Sequence, residues 1–207
     1  MGPSPRRLQP RKQPRQARAE RTREWILQAA AQVFAAHGYA AGTTNRIAER
    51  AGVSIGTLYQ YYPNKDAILV ELMTAHVDAG LAAIRARLEG GLPTELDALV
   101  RLFVRAAIDN HRDEPRLHQV LFEEAPRPAT ILAMLHQAEA ALVAAAAPLL
   151  AAHPQVTVGD PGVAARIVVA SVESLVHRLV AAPEPMDAQV VEDELVRMVV
   201  AYLSAGA

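Results

Sequence analysis

An all-α fold in two parts, a small N-terminal helical head on a longer helical bundle, is predicted by three features of the sequence. The 207 residues are 51% hydrophobic but only 4% aromatic, and alanine, which loses least on entering a helix, supplies much of the apolar share. Apolar residues recur at three- and four-residue spacing, and glycines and prolines divide the stretches they form. No strand-like alternation or internal repeat competes, and a chain of this length fits one small module plus one full core, about nine helices in all.

Residues 1–19 are expected to form a basic disordered arm, because Pro3, Pro5, Pro10 and Pro14 preclude a regular helix. From Glu20 the spacing of Trp25, Ile26, Ala29, Ala30, Val33 and Phe34 predicts a first helix, with Gly38 as its stop signal. Thr43 can cap a short second helix whose apolar face is Ile47, Ala48 and Ala51. Gly52 permits the positive φ of a tight turn, Ser54 can cap a third helix over about residues 55–62, and Pro63 ends it. The head is thus placed at 20–66, with a helix-turn-helix over 43–62.

Asn64 reads as the cap of a long fourth helix through Leu69, Leu72, Met73, His76 and Val77 toward Leu88, closed by Gly90, Gly91 and Pro93. The second part, 67–207, continues with four more helical stretches. Pro115, Pro126, Pro128, the loop from His153 to Gly162 and the loop from Pro183 to Pro185 separate them. Leu96, Leu99, Val100, Phe103, Val104, Ala107 and Ile108 make one broad apolar stripe, and Ile131, Leu132, Leu135, Ala138, Leu142 and Leu149 another.

Charge divides the chain in the same place. Residues 1–65 carry 11 Lys and Arg against 3 acidic residues, net +8, while the remainder carries 10 against 19, net −9. A basic segment on an acidic body is the footprint of a protein that meets a polyanion with one end. There is no cysteine, which excludes disulfides and thiolate metal sites, and the first 24 residues are too polar and arginine-rich for a secretory signal. Pro148 and the scarcity of strongly apolar side chains between Ala138 and Ala152 argue against a membrane span. A cytoplasmic protein with no membrane partner is expected.

Two short helices joined by a glycine turn make the unit that lays its second helix in the DNA major groove. Leu58 and Tyr62, four apart, share the face that packs inward. Ile55, Gly56 and Thr57 stand at the helix start, where free amides favour phosphate and Gly56 allows close approach of the backbone. Tyr59, Tyr61, Gln60 and Lys65 offer hydroxyls, an amide and a charge suited to phosphate oxygens.

These residues carry a resemblance. TTNRIAERAGVSIGTLYQYYPNKDAIL is similar to the DNA-binding signature of the TetR family of one-component regulators, and RTREWILQAAAQVFAAHGYAAG resembles that family's first helix. The resemblance covers residues 21–70 and includes the AGV turn, the LY pair and the late lysine. It implies that Thr44, Tyr59, Tyr61 and Lys65 meet phosphates, while Asn45, Ile55, Thr57 and Gln60 lie nearest base edges. Tyr61 replaces a histidine common in the family, which exchanges one backbone donor for another, and Ile55 suits a thymine methyl. With Thr43, Arg46, Ser54 and Gly56, these complete the candidate DNA contacts.

The resemblance further implies a repressor released from a pseudo-palindromic operator by a small-molecule effector, with a ligand cavity in the bundle and a homodimer interface on the last two helices. Mixed apolar and polar character nominates Phe103, Arg105, Asn110, His111, His118, Phe122 and Met134 for the pocket. Small and apolar residues at helical spacing nominate Ile167, Ser171, Ser174, Leu175, Arg178, Leu195, Met198, Val199 and Tyr202 for the interface. An effector must prefer the conformation whose reading heads are mis-spaced, and helix four, joining head to body, is the expected lever.

None of the seven histidines forms a close pair at helical spacing with an acidic third ligand, so neither a metal site nor a cofactor is expected. An enzyme is the rival from another class, but the sequence has no nucleophile elbow, phosphate-cradling glycine loop or zinc helix motif. A regulator without an inducer, or an activator, shares the same reading head. Operator position and ligand response separate these alternatives.

Overall fold

The computed structural model describes residues 15–112, 115–182 and 184–206. Nine α-helices and no strand occur among the described residues: α1 Arg15–Ala41, α2 Thr44–Ala51, α3 Ile55–Tyr61, α4 Lys65–Leu88, α5 Leu96–Arg112, α6 Pro115–Gln119, α7 Ala129–Ala152, α8 Pro161–Leu179 and α9 Ala188–Ser204. A single π turn, Val120–Glu124, continues α6.

Most of the arm expected over 1–19 lies outside the described residues, but its last five positions are a correction, since α1 already runs from Arg15. Past Pro14 nothing in RQARAE breaks a helix, and Ala and Arg favour one. The stripe of Ile26, Ala29, Ala30, Val33 and Phe34 is buried, whereas Trp25, one step off it, is 52% exposed. Gly38 leaves helical geometry at φ 74°, so the helix proper stops there. At Gly42 a Cβ would stand 2.4 Å from the Phe34 ring, so only glycine lets the chain pass.

Local chemistry sets the other helix ends. Thr43 Oγ1 accepts from the Arg46 amide at 3.3 Å, Ser54 Oγ from the Thr57 amide at 3.0 Å, and Asn64 Oδ1 from the Ala67 amide at 2.9 Å. Gly52 sits at φ 67°, and the amides of Gly52 and Val53 donate to the Glu49 and Ala48 carbonyls. This is the paired left-handed helix end that glycine adopts most easily. The prolines expected as breaks also act as starts: Pro115 opens α6, Pro128 precedes α7 and Pro161 opens α8.

Two apolar cores result. One joins Ile26, Phe34, Ile47, Leu58 and Tyr62 of the head to Ile68, Leu69 and Met73 of α4, and continues into Val120, Leu121 and Ile131. The other packs Val100, Val104 and Ile108 of α5 with Val172 and Val176 of α8 and Leu195, Val199 and Leu203 of α9. Helices α4 and α7 are long and apolar enough to cross a membrane by length and composition. Both pack within the bundle, α4 against α5 and α7 against α8.

Candidate nucleic-acid interface and internal cavity

The face of α2 and α3 turned from the core is polar and open. Thr43, Asn45, Arg46, Ser54, Ile55, Gly56, Tyr59 and Gln60 are exposed, while Thr44, Thr57, Tyr61 and Lys65 are half-buried. Leu58 at 0% and Tyr62 at 4% exposure anchor α3, each burial contributing about 1.5–3 kcal/mol. Hydroxyl contacts pre-set the surface: Thr44 Oγ1 lies 3.2 Å from Tyr59 Oη, and Ser54 Oγ 2.8 Å from Thr57 Oγ1.

Two expected contacts are more engaged than sequence suggests. Tyr61 packs against the head core. Lys65 donates to the carbonyls of Tyr39 at 2.8 Å and Ala40 at 3.2 Å, and its ammonium stands 4.2 Å from the Tyr39 ring centroid. That lysine closes the end of α1, where unpaired carbonyls need donors, and one of its three protons is left for another partner.

The head is bonded to α4. Tyr62 Oη donates to Glu71 at 2.9 Å, Arg23 Nε pairs with the same carboxylate at 2.7 Å, and Tyr39 Oη donates to Asp66. Burial, with the adjoining Glu71 carboxylate, pushes the Tyr62 phenol up to about 12. On the other side, the Tyr39 amide donates to Glu124 Oε2 at 3.4 Å, and Glu124 pairs with Arg116. The end of α1 is thereby fastened to the π turn as well.

Within the bundle, a cavity of about 370 Å³ lies between α4, α5, α7 and α8, lined by His76, Gly80, Asn110, His111, Phe122, Leu142 and Glu173 among others. It shares Ile84, Ala107, Leu142, Val169 and Glu173 with an apolar chamber of about 130 Å³ walled by Leu88, Leu99, Phe103 and Leu149. Asn110 fits there because α4 carries Gly80, where a Cβ would lie 2.8 Å from the amide nitrogen. The space therefore has a polar end of imidazole, amide and carboxylate and an apolar far end. Burial holds the Glu173 carboxyl above the usual carboxylate range.

Of the expected pocket residues, Asn110, His111 and Phe122 line the cavity between α4, α5, α7 and α8, Phe103 lines the apolar chamber, and His118 lines a third space beside His76 and His111. Arg105 is corrected. It projects outward from α5 and makes a two-pronged pair with Glu192 of α9 at 2.9 Å on each bond. Glu192 is itself 4% exposed and also pairs with Arg101. Met134 is corrected too, because its sulfur accepts the Thr74 hydroxyl at 3.2 Å and the side chain packs on the head-side core. Sequence reasoning missed His76, Gly80 and Glu173. A histidine on the inner face of α4 was the available signal.

The expected interface residues divide. Ile167 at 46%, Met198 at 44% and Tyr202 at 37% exposure, with Ser174 and Arg178, lie on the outer faces of α8 and α9, and Ser171 and Leu175 are half-buried. Leu195 and Val199 are corrected: they turn inward at 4% and 2% exposure and pack in the core of the same chain. The expectation that rejected metal ligands rested on spacing along one helix. The fold instead gathers His76, His111 and His118 from three helices, with one potential ligand atom of each within 4.8 Å of the others.

Residues 26–72 match the family model described as bacterial regulatory proteins, tetR family, and residues 95–203 match the tetracyclin repressor-like C-terminal domain. The HTH-type transcriptional regulator RutR of Escherichia coli is 30% identical over 99 residues, 48% of this chain and 45% of that protein. The HTH-type transcriptional activator FasR of Mycolicibacterium smegmatis is 33% identical over 98 residues, 47% and 44% of the two chains. This chain thus spans about half the length of the curated relatives it matches. The crystal structure of the transcriptional regulator FadR from Bacillus subtilis, in complex with stearoyl-CoA, superposes with a TM-score of 0.70 at 19% identity, covering 86% of this chain and 97% of that one. With the head and the body each matched by a family model, the second alone spanning more than half of the sequence, this chain belongs to the TetR family of bacterial regulatory proteins.

Proposed function

We propose that the protein is a sequence-specific DNA-binding transcription regulator that acts as a homodimer and is released from a pseudo-palindromic operator by a small molecule held in its bundle. The observation that carries this is the α3 face. A helix pinned by Leu58 and Tyr62 offers Ile55, Gly56, Tyr59 and Gln60 to a groove, with no bulk at Gly56 to hold DNA away. The positive head on a negative body supports the same orientation. Such a role places the protein in the cytoplasm, on the nucleoid when bound.

The shape of the internal space supports an effector with an elongated apolar part and one polar end. The stearoyl-CoA in the FadR structure supports an acyl-type molecule of that description. Its grip would act through α4, which is bonded to α1 and α3 at Glu71 and Asp66 and lines the cavity from His76 to Ile84. Activation in place of repression is the second reading, favoured by the activator FasR among the relatives.

Selecting bound duplexes from a random pool with the purified protein, then challenging the complex with stearoyl-CoA, tests the proposal. Enrichment of paired half-sites about 34–36 Å apart or a multiple of that, followed by release, is expected. Failure to enrich paired half-sites overturns the DNA-binding reading, and enrichment without release overturns the acyl effector.

A further inference from the structure

His118, on α6, is 4% exposed, and both its ring nitrogens are buried without a hydrogen-bond partner. A buried imidazole with neither nitrogen satisfied forfeits the desolvation of both, so it calls for a missing partner. Its ring is held in place by stacking on Phe122, with centroids 4.3 Å apart and planes at 18°. His111, from α5, stands 4.5 Å away by centroid, and His76, from α4, 5.0 Å away.

One of the other two rings is already oriented as a ligand. His111 Nδ1 lies 2.7 Å from the Ala107 carbonyl and donates to it, which fixes the tautomer and leaves Nε2 with its lone pair free. The Asn110 amide nitrogen, 3.2 Å away, donates to His76 Nε2 and leaves the proton on Nδ1, so His76 becomes a ligand through Nε2 when the ion takes the place of that donor.

We propose that His76, His111 and His118 form a three-imidazole site for a divalent transition ion of the zinc class, with a fourth position open toward the cavity and Glu173. Three imidazole nitrogens suit zinc and its neighbours rather than calcium or magnesium. Glu173 Oε2, 3.8 Å from His111 Nε2, supplies a negative group beside the ion. Zinc–nitrogen bonds of ~2.0–2.1 Å require the ligand atoms, now within 4.8 Å of one another, to close by up to about 1.4 Å, which rotations of the ring torsions accomplish. The ion would tie α4, α5 and α6 together beneath the head.

The test is titration of tag-free, metal-stripped full-length protein with Co²⁺, in the absence of DNA. One equivalent per chain, with the strong visible bands of a four- or five-coordinate ion and displacement by Zn²⁺, is expected. His118→Phe, which retains the stack on Phe122, should weaken uptake by about 100-fold or more, while the exposed His136→Ala should not change it. Absence of stoichiometric uptake, or equal uptake by folded His118→Phe, overturns the site. X-ray absorption of the wild-type protein with one equivalent of zinc decides independently of any variant: three imidazoles support the site and fewer overturn it. A negative result leaves the DNA-binding proposal standing.

Discussion

Gln60 and Tyr59 are neighbours on α3, both exposed, yet their chemistry assigns them different work. Gln60 carries a donor and an acceptor that can pair bidentately with an adenine edge, whereas the Tyr59 hydroxyl, held near Thr44, suits a phosphate oxygen. Gln60→Ala should therefore change the preference at one operator position by about 1–3 kcal/mol. Tyr59→Phe should weaken all sequences alike. Competition binding against single-base operator variants checks this, and a uniform loss for Gln60→Ala would contradict it. Lys65 shows where residue-scale reading stops, because nothing in its own segment reveals that the carbonyls of Tyr39 and Ala40 take two of its protons.

The turn between α2 and α3 is an element-scale device. Gly52 occupies φ 67° with open space where a Cβ would stand, so a substitution there meets conformational cost without a clash. Gly52→Ala should lower stability by about 1–2 kcal/mol, read as a fall in thermal midpoint, and Gly52→Asn by less. A midpoint unchanged in the alanine variant would show that the turn does not hold that backbone in solution. Such ends were legible because each is set by residues adjacent in sequence. Glu192 was not: its partners Arg101 and Arg105 lie roughly 90 positions away on α5, and α9 meets α5 only in the folded bundle.

At the scale of the whole molecule, the outer faces of α8 and α9 leave Val163, Ile167, Met198 and Tyr202 in contact with solvent. Apolar groups gathered on adjoining faces are expected to be covered by a second copy in a two-fold arrangement. Ile167→Glu with Met198→Glu should give a monomer by light scattering with unchanged helix content, and operator affinity should fall because one reading head engages one half-site. A variant that remains dimeric would place the interface elsewhere. Leu195 and Val199 are excluded from this test because they hold α9 to its own chain.

The helical class, the caps at Thr43, Ser54 and Asn64, the left-handed turn at Gly52 and the inward anchors Leu58 and Tyr62 are all written in the order of the residues. Each of these follows from propensity, capping or periodicity over a few neighbouring residues. Folding in three dimensions turns Arg105 toward α9 rather than a cavity, puts Leu195 and Val199 in the core, and brings His76, His111 and His118 together. Packing sets which helical face is inside, and it joins residues whose separation along the chain carries no trace of their contact.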